Sequence, residues 1–159
     1  MILVLLGTQD KPFLRLLKMV SKEIDKGNIK EKVVAQTGYT AFSDKNMESF
    51  DFKNKEEIEK LIDKARIIIT HAGVGTITEC LEKGKKIIVV PRLKKYLEHT
   101  NDHQMQITKE FEMKGYVIAL YDNKRLSAAL DKIKTFKPKK YESNSENFKM
   151  KIKDYIDNI

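Results

Sequence analysis

The 159 residues carry a formal net charge of +8 and include one cysteine. One cysteine excludes a disulfide or zinc framework, and the longest apolar run, residues 1–6, is far shorter than the ~20 residues of a membrane-spanning helix. The length fits one domain, and the basic excess favours an anionic partner, whether nucleic acid, an acidic membrane surface or a phosphorylated ligand.

The first half of the chain alternates between predicted strands and helices. Residues 1–6 form an apolar run without a basic leader or cleavage site, so we interpret them as a buried strand of a cytoplasmic protein. A helix follows, because five apolar residues recur at helical spacing: Phe13, Leu16, Leu17, Val20 and Ile24. Two further strands, 32–36 and 47–52, precede a helix at 56–65.

The second half continues the alternation. Short runs rich in β-branched residues at 67–69 and 87–90 are typical of parallel strands covered on both faces. Helices are predicted at 74–83, 101–114 and 123–134, with a strand at 116–120. The alternation predicts an α/β fold with a single Rossmann-like, doubly wound parallel sheet over residues 1–136.

The last segment, residues 137–159, is predicted to be a basic linker followed by an amphipathic helix. Its apolar residues recur on one stripe: Phe148, Ile152, Tyr155 and Ile159. Such a stripe could pack on this domain or dock into a partner.

The most informative motif is THAGVGTITE at residues 70–79, between a strand and a helix. Gly73 and Gly75 let a ligand approach the backbone, and the free N–H groups of the first helical turn favour an anion. The motif lacks the Gly-Lys-Ser/Thr of a Walker loop and the third glycine of a dinucleotide fingerprint. Ligands of such sheets bind at the carboxyl ends of the strands, where Gly7, Thr8 and Gly38 are also predicted to lie.

Several segments together resemble one known family. THAGVGTITE, IIVVPR, HTNDHQMQI, LLGTQDKPFLRLL and AQTGYT resemble the nucleotide-sugar-binding, C-terminal half of MurG-like GT-B glycosyltransferases of family 28. The likeness extends to the small subunits of split enzymes, of the Alg13, PssE and CpsG-like types. It implies one half of a GT-B fold, a UDP-sugar as donor substrate, and a membrane-anchored acceptor-binding partner of the Alg14 or PssD type.

The resemblance also implies roles for the glycine turn. The backbone of Gly73, Val74, Gly75 and Thr76 would hold the diphosphate, and Glu79 would accept hydrogen bonds from the ribose hydroxyls. The alternative for Glu79 is a first-turn acid favoured by the helix dipole. His71 would donate toward phosphate or brace the loop.

A second group of residues opens the helix at 101–114. The resemblance places Asp102, His103 and Gln104 at the hydroxyls of the transferred sugar, with Asn101 beside them, whereas capping by Asn101 or Asp102 is the structural alternative. Phe52 is expected to lie next to uracil or in the core. Gly7, Thr8 and Gly38 would line the same rim.

These features predict the UDP-sugar-binding subunit of a two-component inverting glycosyltransferase. It would transfer a hexose or N-acetylhexosamine to a lipid-linked acceptor at the cytoplasmic membrane face. The chain has no Asp-x-Asp pair, so we expect no obligatory metal and no cofactor, and the resemblance places the general base on the partner chain. The alternatives are a non-catalytic enhancer of a partner transferase and, with less support from the charge pattern, a nucleic-acid module.

Overall fold

The computed structural model describes residues 1–143. Strands and helices alternate as the sequence predicts. In chain order they are β1 (Ile2–Leu5), α1 (Leu14–Asp25), β2 (Val33–Gln36), β3 (Glu48–Phe50), α2 (Lys55–Lys64), β4 (Ile67–Thr70), α3 (Val74–Glu82), β5 (Lys86–Val89), α4 (His103–Met113), β6 (Ile118–Ala119) and α5 (Leu126–Thr135).

The six strands form one parallel sheet in the order β3-β2-β1-β4-β5-β6. This order confirms the predicted doubly wound α/β fold. The chain first adds strands on one side of β1 and then returns to add β4 on the other side. The crevice at the carboxyl ends of β1 and β4 is therefore the topological switch point, where sheets of this kind bind ligands.

Both faces of the sheet are covered, which is why its central strands are continuously apolar. Helices α1 and α5 pack on one face through residues such as Leu16, Val20 and Ile133. Helices α2, α3 and α4 contribute to a second cluster on the opposite face, with Ile62 and Ile77 among its buried members.

The predictions from the sequence were less accurate at the edge of the sheet formed by β3. The predicted third strand spans residues 47–52, but β3 contains only Glu48–Phe50, and the side chains of Glu48 and Ser49 are exposed. Helix α2 begins with a capping box in which Asn54 accepts from the Glu57 N–H and the Glu57 carboxylate accepts from the Asn54 N–H. A 3₁₀ turn at Lys94–Tyr96 was not predicted.

Residues 137–143 follow α5 without helix or strand and contact the domain. The Lys139 N–H donates to the Gly115 carbonyl oxygen at 3.0 Å, and the rings of Tyr141 and Tyr116 meet edge to face with centroids 5.4 Å apart. The predicted terminal helix lies outside the described residues. Within residues 1–143, no helix has the length and apolar character needed to cross a bilayer.

Candidate functional site

Three glycine turns lie side by side at the carboxyl edge of the sheet. Gly7 follows β1, Gly38 follows β2, and Gly73 follows β4. A Cβ atom added at Gly38 would lie 3.0 Å from the Gly7 carbonyl oxygen, so the first two turns are in close contact. The structure therefore brings together the three glycine turns that the sequence predicts at this edge.

The His71 imidazole lies between two of these turns. A Cβ atom would fall 2.5 Å from His71 Cε1 if it were added at Gly7, and 2.2 Å from His71 Nε2 if it were added at Gly73. Both distances are far below a van der Waals contact, so neither position has room for a side chain. Gly7 also has a φ of +80°, in the left-handed region that glycine adopts without strain.

His71 is buried and neutral. Its Nδ1 lies 3.4 Å from the Leu5 carbonyl oxygen and 3.3 Å from Thr70 Oγ1. Since the carbonyl can only accept, Nδ1 carries the proton and Nε2 is left as an acceptor. Burial, and then the charge of Arg92, lower the pKa of His71 from 6.5 to about 4. The ring thus braces the turns, which was one of the two roles expected for it.

Acid is expected to destabilise the fold through His71. Between pH 6.5 and about 4 the unfolded chain binds a proton at this imidazole that the folded chain does not. Its contribution to stability is therefore complete above about pH 6.5 and is lost as the pH falls toward 4, by roughly 3 kcal/mol in all. Urea unfolding across this range should show a smaller loss for His71→Asn, which keeps a donor near the Nδ1 position and does not titrate. Equal losses in both proteins would contradict the assignment.

The first turn of α3 presents its backbone amides without side-chain caps. Gly73 is the N-cap residue, and its carbonyl oxygen accepts from the Ile77 N–H. Within residues 1–143 the N–H groups of Val74, Gly75 and Thr76 have no acceptor. A Cβ atom at Gly75 would meet nothing within 4 Å. The turn therefore presents free donors and open space, as an anion requires.

Glu79 lies in the second turn of α3. The interpretation of Glu79 as a first-turn acid is therefore wrong, because the helix begins at Val74 and has no acidic residue in its first turn. Glu79 Oε1 is buried and has no hydrogen-bond partner among the described residues. An unpaired buried carboxylate oxygen is costly unless a ligand supplies the donor.

Glu79 also lines a groove of about 380 Å³ between α2 and α3. Thr78 and Glu82 line the same groove, as does Lys55 at the start of α2. Phe52 precedes Lys55 by only three residues, so this groove begins close to the end of β3.

An exposed aromatic pair lies beside the glycine turn after β2. Phe52 is 45% exposed, so the alternative that it packs in the core is wrong. Its ring meets that of Tyr39 edge to face, with centroids 5.1 Å apart, and Tyr39 is 60% exposed. Tyr39 was missed as a site residue, although it directly follows Gly38 in the turn after β2. Exposed aromatic rings at a ligand crevice offer a stacking surface for a planar base.

The residues that open α4 play different local roles. Asn101 Oδ1 accepts from the His103 N–H at 3.0 Å, whereas Asp102 Oδ1 accepts from the Lys94 N–H at 2.8 Å. Of the two capping alternatives, Asn101 therefore satisfies an amide of the first turn, and the Asp102 side chain binds another segment. The His103 side chain is exposed.

Gln104 is buried and joins two strand ends. Its Oε1 accepts from the Ala72 N–H after β4 at 3.2 Å and from the Arg92 N–H after β5 at 3.0 Å. Its Nε2 donates to no described residue, so only this atom of the side chain is left to bind a sugar hydroxyl. Gln104 thus fixes the spacing of the turns that border the crevice.

Arg92, which sequence reasoning missed, supports the opposite wall of the crevice. Its guanidinium donates to the carbonyl oxygens of Leu6 and Lys11, both at 2.7 Å, and of Glu98 at 3.2 Å. The side chain is 1% exposed and stacks on the Phe13 ring, 4.8 Å from the centroid. Burial lowers the pKa of Arg92 to about 10, so the group is still charged at neutral pH.

The Arg92 contacts hold the segment between β1 and α1, which carries Gly7 and the exposed Thr8. Thr8 is exposed after β1, and its place on the rim of a ligand site stays a prediction. Within the part of the chain that the structure describes, no group of three or more His, Cys, Asp or Glu side chains could hold a metal ion.

Two relatives in sequence are informative. The human UDP-N-acetylglucosamine transferase subunit ALG13 is 35% identical over 66 residues, which are 42% of this chain and 6% of that protein. The UDP-N-acetylglucosamine–N-acetylmuramyl-(pentapeptide) pyrophosphoryl-undecaprenol N-acetylglucosamine transferase of Clostridium tetani is 31% identical over 138 residues, or 84% of this chain and 34% of that enzyme. The chain therefore spans about a third or less of the length of these relatives.

A structural comparison and a family comparison agree with these sequence similarities. The solution structure of ALG13 superposes with a TM-score of 0.57 over 94% of this chain and 93% of that chain, at 18% identity, which shows a shared fold. The sequence profile of the glycosyltransferase family 28 C-terminal domain matches residues 1–159. The resemblance seen in the sequence is confirmed, and the chain belongs to the glycosyltransferase family 28 C-terminal domain family.

Proposed function

We propose that this glycosyltransferase domain is the UDP-sugar-binding subunit of a two-component inverting transferase. The observation that carries the proposal is the combination of free donors, an orphan acceptor and exposed rings near the carboxyl edge of the sheet. Free amides of α3 lie at one point, the orphan oxygen of Glu79 lies one helical turn further along, and the Tyr39–Phe52 pair lies at the end of β2 and β3. These groups match a diphosphate, a ribose and a uracil in that order.

The amides would act on the leaving group. As the bond from the sugar to the diphosphate breaks, negative charge grows on the diphosphate, and the oriented N–H groups of Val74, Gly75 and Thr76 stabilise it without rearrangement. Nε2 of the neutral His71 is an acceptor, so we assign His71 to positioning these turns. In this proposal the charge of the diphosphate is met by the helix, and no metal is required.

The donor sugar would lie toward the start of α4. We propose that Gln104 Nε2 and the exposed side chains of Asn101, Asp102 and His103 face a hexose or N-acetylhexosamine there. The general base is assigned to an acceptor-binding, membrane-anchored partner chain, which also holds the lipid-linked acceptor. The name of the ALG13 relatives, a transferase subunit, supports an enzyme divided between chains. This arrangement would place the chain at the cytoplasmic membrane face.

Calorimetry with UDP tests the ligand assignment. Glu79→Gln is expected to weaken UDP binding by roughly 1.5–3 kcal/mol, the scale of hydrogen bonds to a charged group, because it removes the charge that pairs with the ribose hydroxyls. Binding of 2′-deoxy-UDP should fall much less in the same variant. The matched control is Glu110→Gln, which makes the same charge change at an exposed position of α4 outside this groove and should leave UDP binding unchanged.

Three outcomes would contradict the proposal. Equal losses of affinity for UDP and 2′-deoxy-UDP would show that Glu79 does not bind the ribose hydroxyls. Loss of UDP binding on adding EDTA would show that binding depends on a metal ion. Absence of UDP binding to the unmodified chain would favour the non-catalytic enhancer instead.

A further inference from the structure

A second surface lies on the other face of the sheet from Glu79. Helix α1 and the segment after β5 enclose an open groove of about 550 Å³, which we call the α1 groove. Its floor is mainly apolar, with Pro12, Leu14, Met19 and Tyr96 along it. None of these residues belongs to the crevice described above.

The tip of the segment after β5 carries two exposed apolar residues. Leu97 is 78% exposed and has a φ of +58°, the one non-glycine residue with positive φ within the described chain. A left-handed conformation costs a residue such as leucine roughly 1–2 kcal/mol. Leu97 belongs to neither hydrophobic cluster of the described residues, and its neighbour Tyr96 is 46% exposed. The fold itself therefore gives no reason for a leucine at this tip.

Unpaired cations surround the groove. Lys18 and Lys22 lie one turn apart on α1, and both line the α1 groove. Lys22 also lines an adjoining groove of about 500 Å³, together with Lys124 and Arg125 of the turn before α5. None of these four side chains forms an ion pair or hydrogen bond with any residue in the range 1–143.

The acids that line the two grooves are neutralised by other groups. Glu98 accepts two hydrogen bonds from Arg15, at 2.9 and 2.8 Å, and Asp122 pairs with Lys95. Glu23 is 5% exposed and lies 3.9 Å from Lys26. The four unpaired cations are thus left to attract an anionic partner.

From these observations we propose that the α1 groove, the Tyr96–Leu97 tip and the four cations form a surface that docks directly on an anionic membrane. Exposed apolar side chains beside lysines are the arrangement that peripheral proteins use at the lipid interface, where the apolar groups enter the headgroup layer and the cations meet phosphates. Because α1 and α5 cover the face opposite to α2 and α3, membrane contact leaves the groove at Glu79 uncovered.

Vesicle sedimentation tests the surface without UDP or a partner chain. The unmodified protein should bind vesicles of phosphatidylcholine mixed with phosphatidylglycerol, should bind pure phosphatidylcholine much less, and should be released by salt. The double change Lys18→Glu, Lys22→Glu should lower the partition coefficient by roughly tenfold or more. Its control is Lys60→Glu, Lys64→Glu on α2, which changes the net charge equally on the other face.

A second pair of variants tests the apolar tip. Leu97→Asp should lower vesicle binding several-fold more than Met113→Asp, since Met113 is 69% exposed on α4, which packs on the opposite face of the sheet. UDP affinity should be unchanged in the two double-lysine variants and in the two aspartate variants. A negative result for membrane docking can therefore be distinguished from a negative result for UDP binding.

Three results would overturn membrane docking. The first is absence of binding to anionic vesicles, and the second is an equal loss in the Lys18/Lys22 and Lys60/Lys64 variants. The third is unchanged vesicle binding combined with weaker binding of the Lys18/Lys22 variant to an acceptor-binding chain, which would make this surface a protein interface.

Discussion

Replacing Arg92 with methionine is expected to lower the free energy of unfolding by about 3–5 kcal/mol. Methionine fills part of the volume but removes the donors to Leu6, Lys11 and Glu98, and the buried carbonyl oxygens are then left without partners. Urea unfolding at neutral pH measures the change. Since the segment after β1 loses its support, UDP binding should weaken in the fraction that remains folded.

The matched control for Arg92 is Arg66→Met. Arg66 pairs with Glu31 at the surface, where its side chain is 57% exposed, so its removal should cost no more than about 1 kcal/mol. If both variants lost the same stability, the buried network around Arg92 would not carry the effect assigned to it.

Alanine at Gly73 should be strongly destabilising, although this residue has an ordinary negative φ. The new methyl group would lie 2.2 Å from Nε2 of the buried His71 ring. We therefore expect a loss of about 3 kcal/mol, at the upper end of overpacking effects. A double-mutant cycle with His71→Ala measures the cause directly. Once the ring is absent, Gly73→Ala should cost less than about 1 kcal/mol.

Gly75→Ala provides the contrast, because its methyl group meets nothing within the described chain. It should leave stability unchanged or raise it slightly, since alanine is the better helix former, and yet weaken UDP binding through the space it takes from the ligand. The cycle would contradict the steric explanation if Gly73→Ala were equally costly with and without the His71 ring.

Much of the fold could be predicted from local patterns. The β-branched runs of β4 and β5 predict buried parallel strands, and the glycines around α3 predict a turn before a helix. The same patterns placed Gly7, Gly38 and Gly73 at one edge, because carboxyl ends of parallel strands meet there. The range predicted for edge strand β3 was too long. This strand has exposed residues, so its sequence carries little apolar pattern to mark where it ends.

The missed features depend on contacts between distant residues. Arginine is almost always exposed, so no local pattern distinguishes Arg92, whose partners Leu6 and Lys11 are more than 80 positions away in the sequence. Gln104 shows no sign in the sequence that its Oε1 will join the ends of β4 and β5. The Tyr39–Phe52 pair requires β2 and β3 to be neighbours, which follows only from the strand order.

The central position of β1 has a consequence for folding during synthesis. Of the six strands, β1 is synthesised before the others, yet one of its two edges is completed only by β4, whose register pairs Leu5 with Thr70. The ribosome must add about 65 more residues before β4 can pair with β1. During that time the nascent chain has an apolar strand with one open edge, and such edges can pair with another chain. His71 follows β4, so its contact with Gly7 forms only after β4 has paired with β1. The crevice is therefore completed late, after the first four strands have been made.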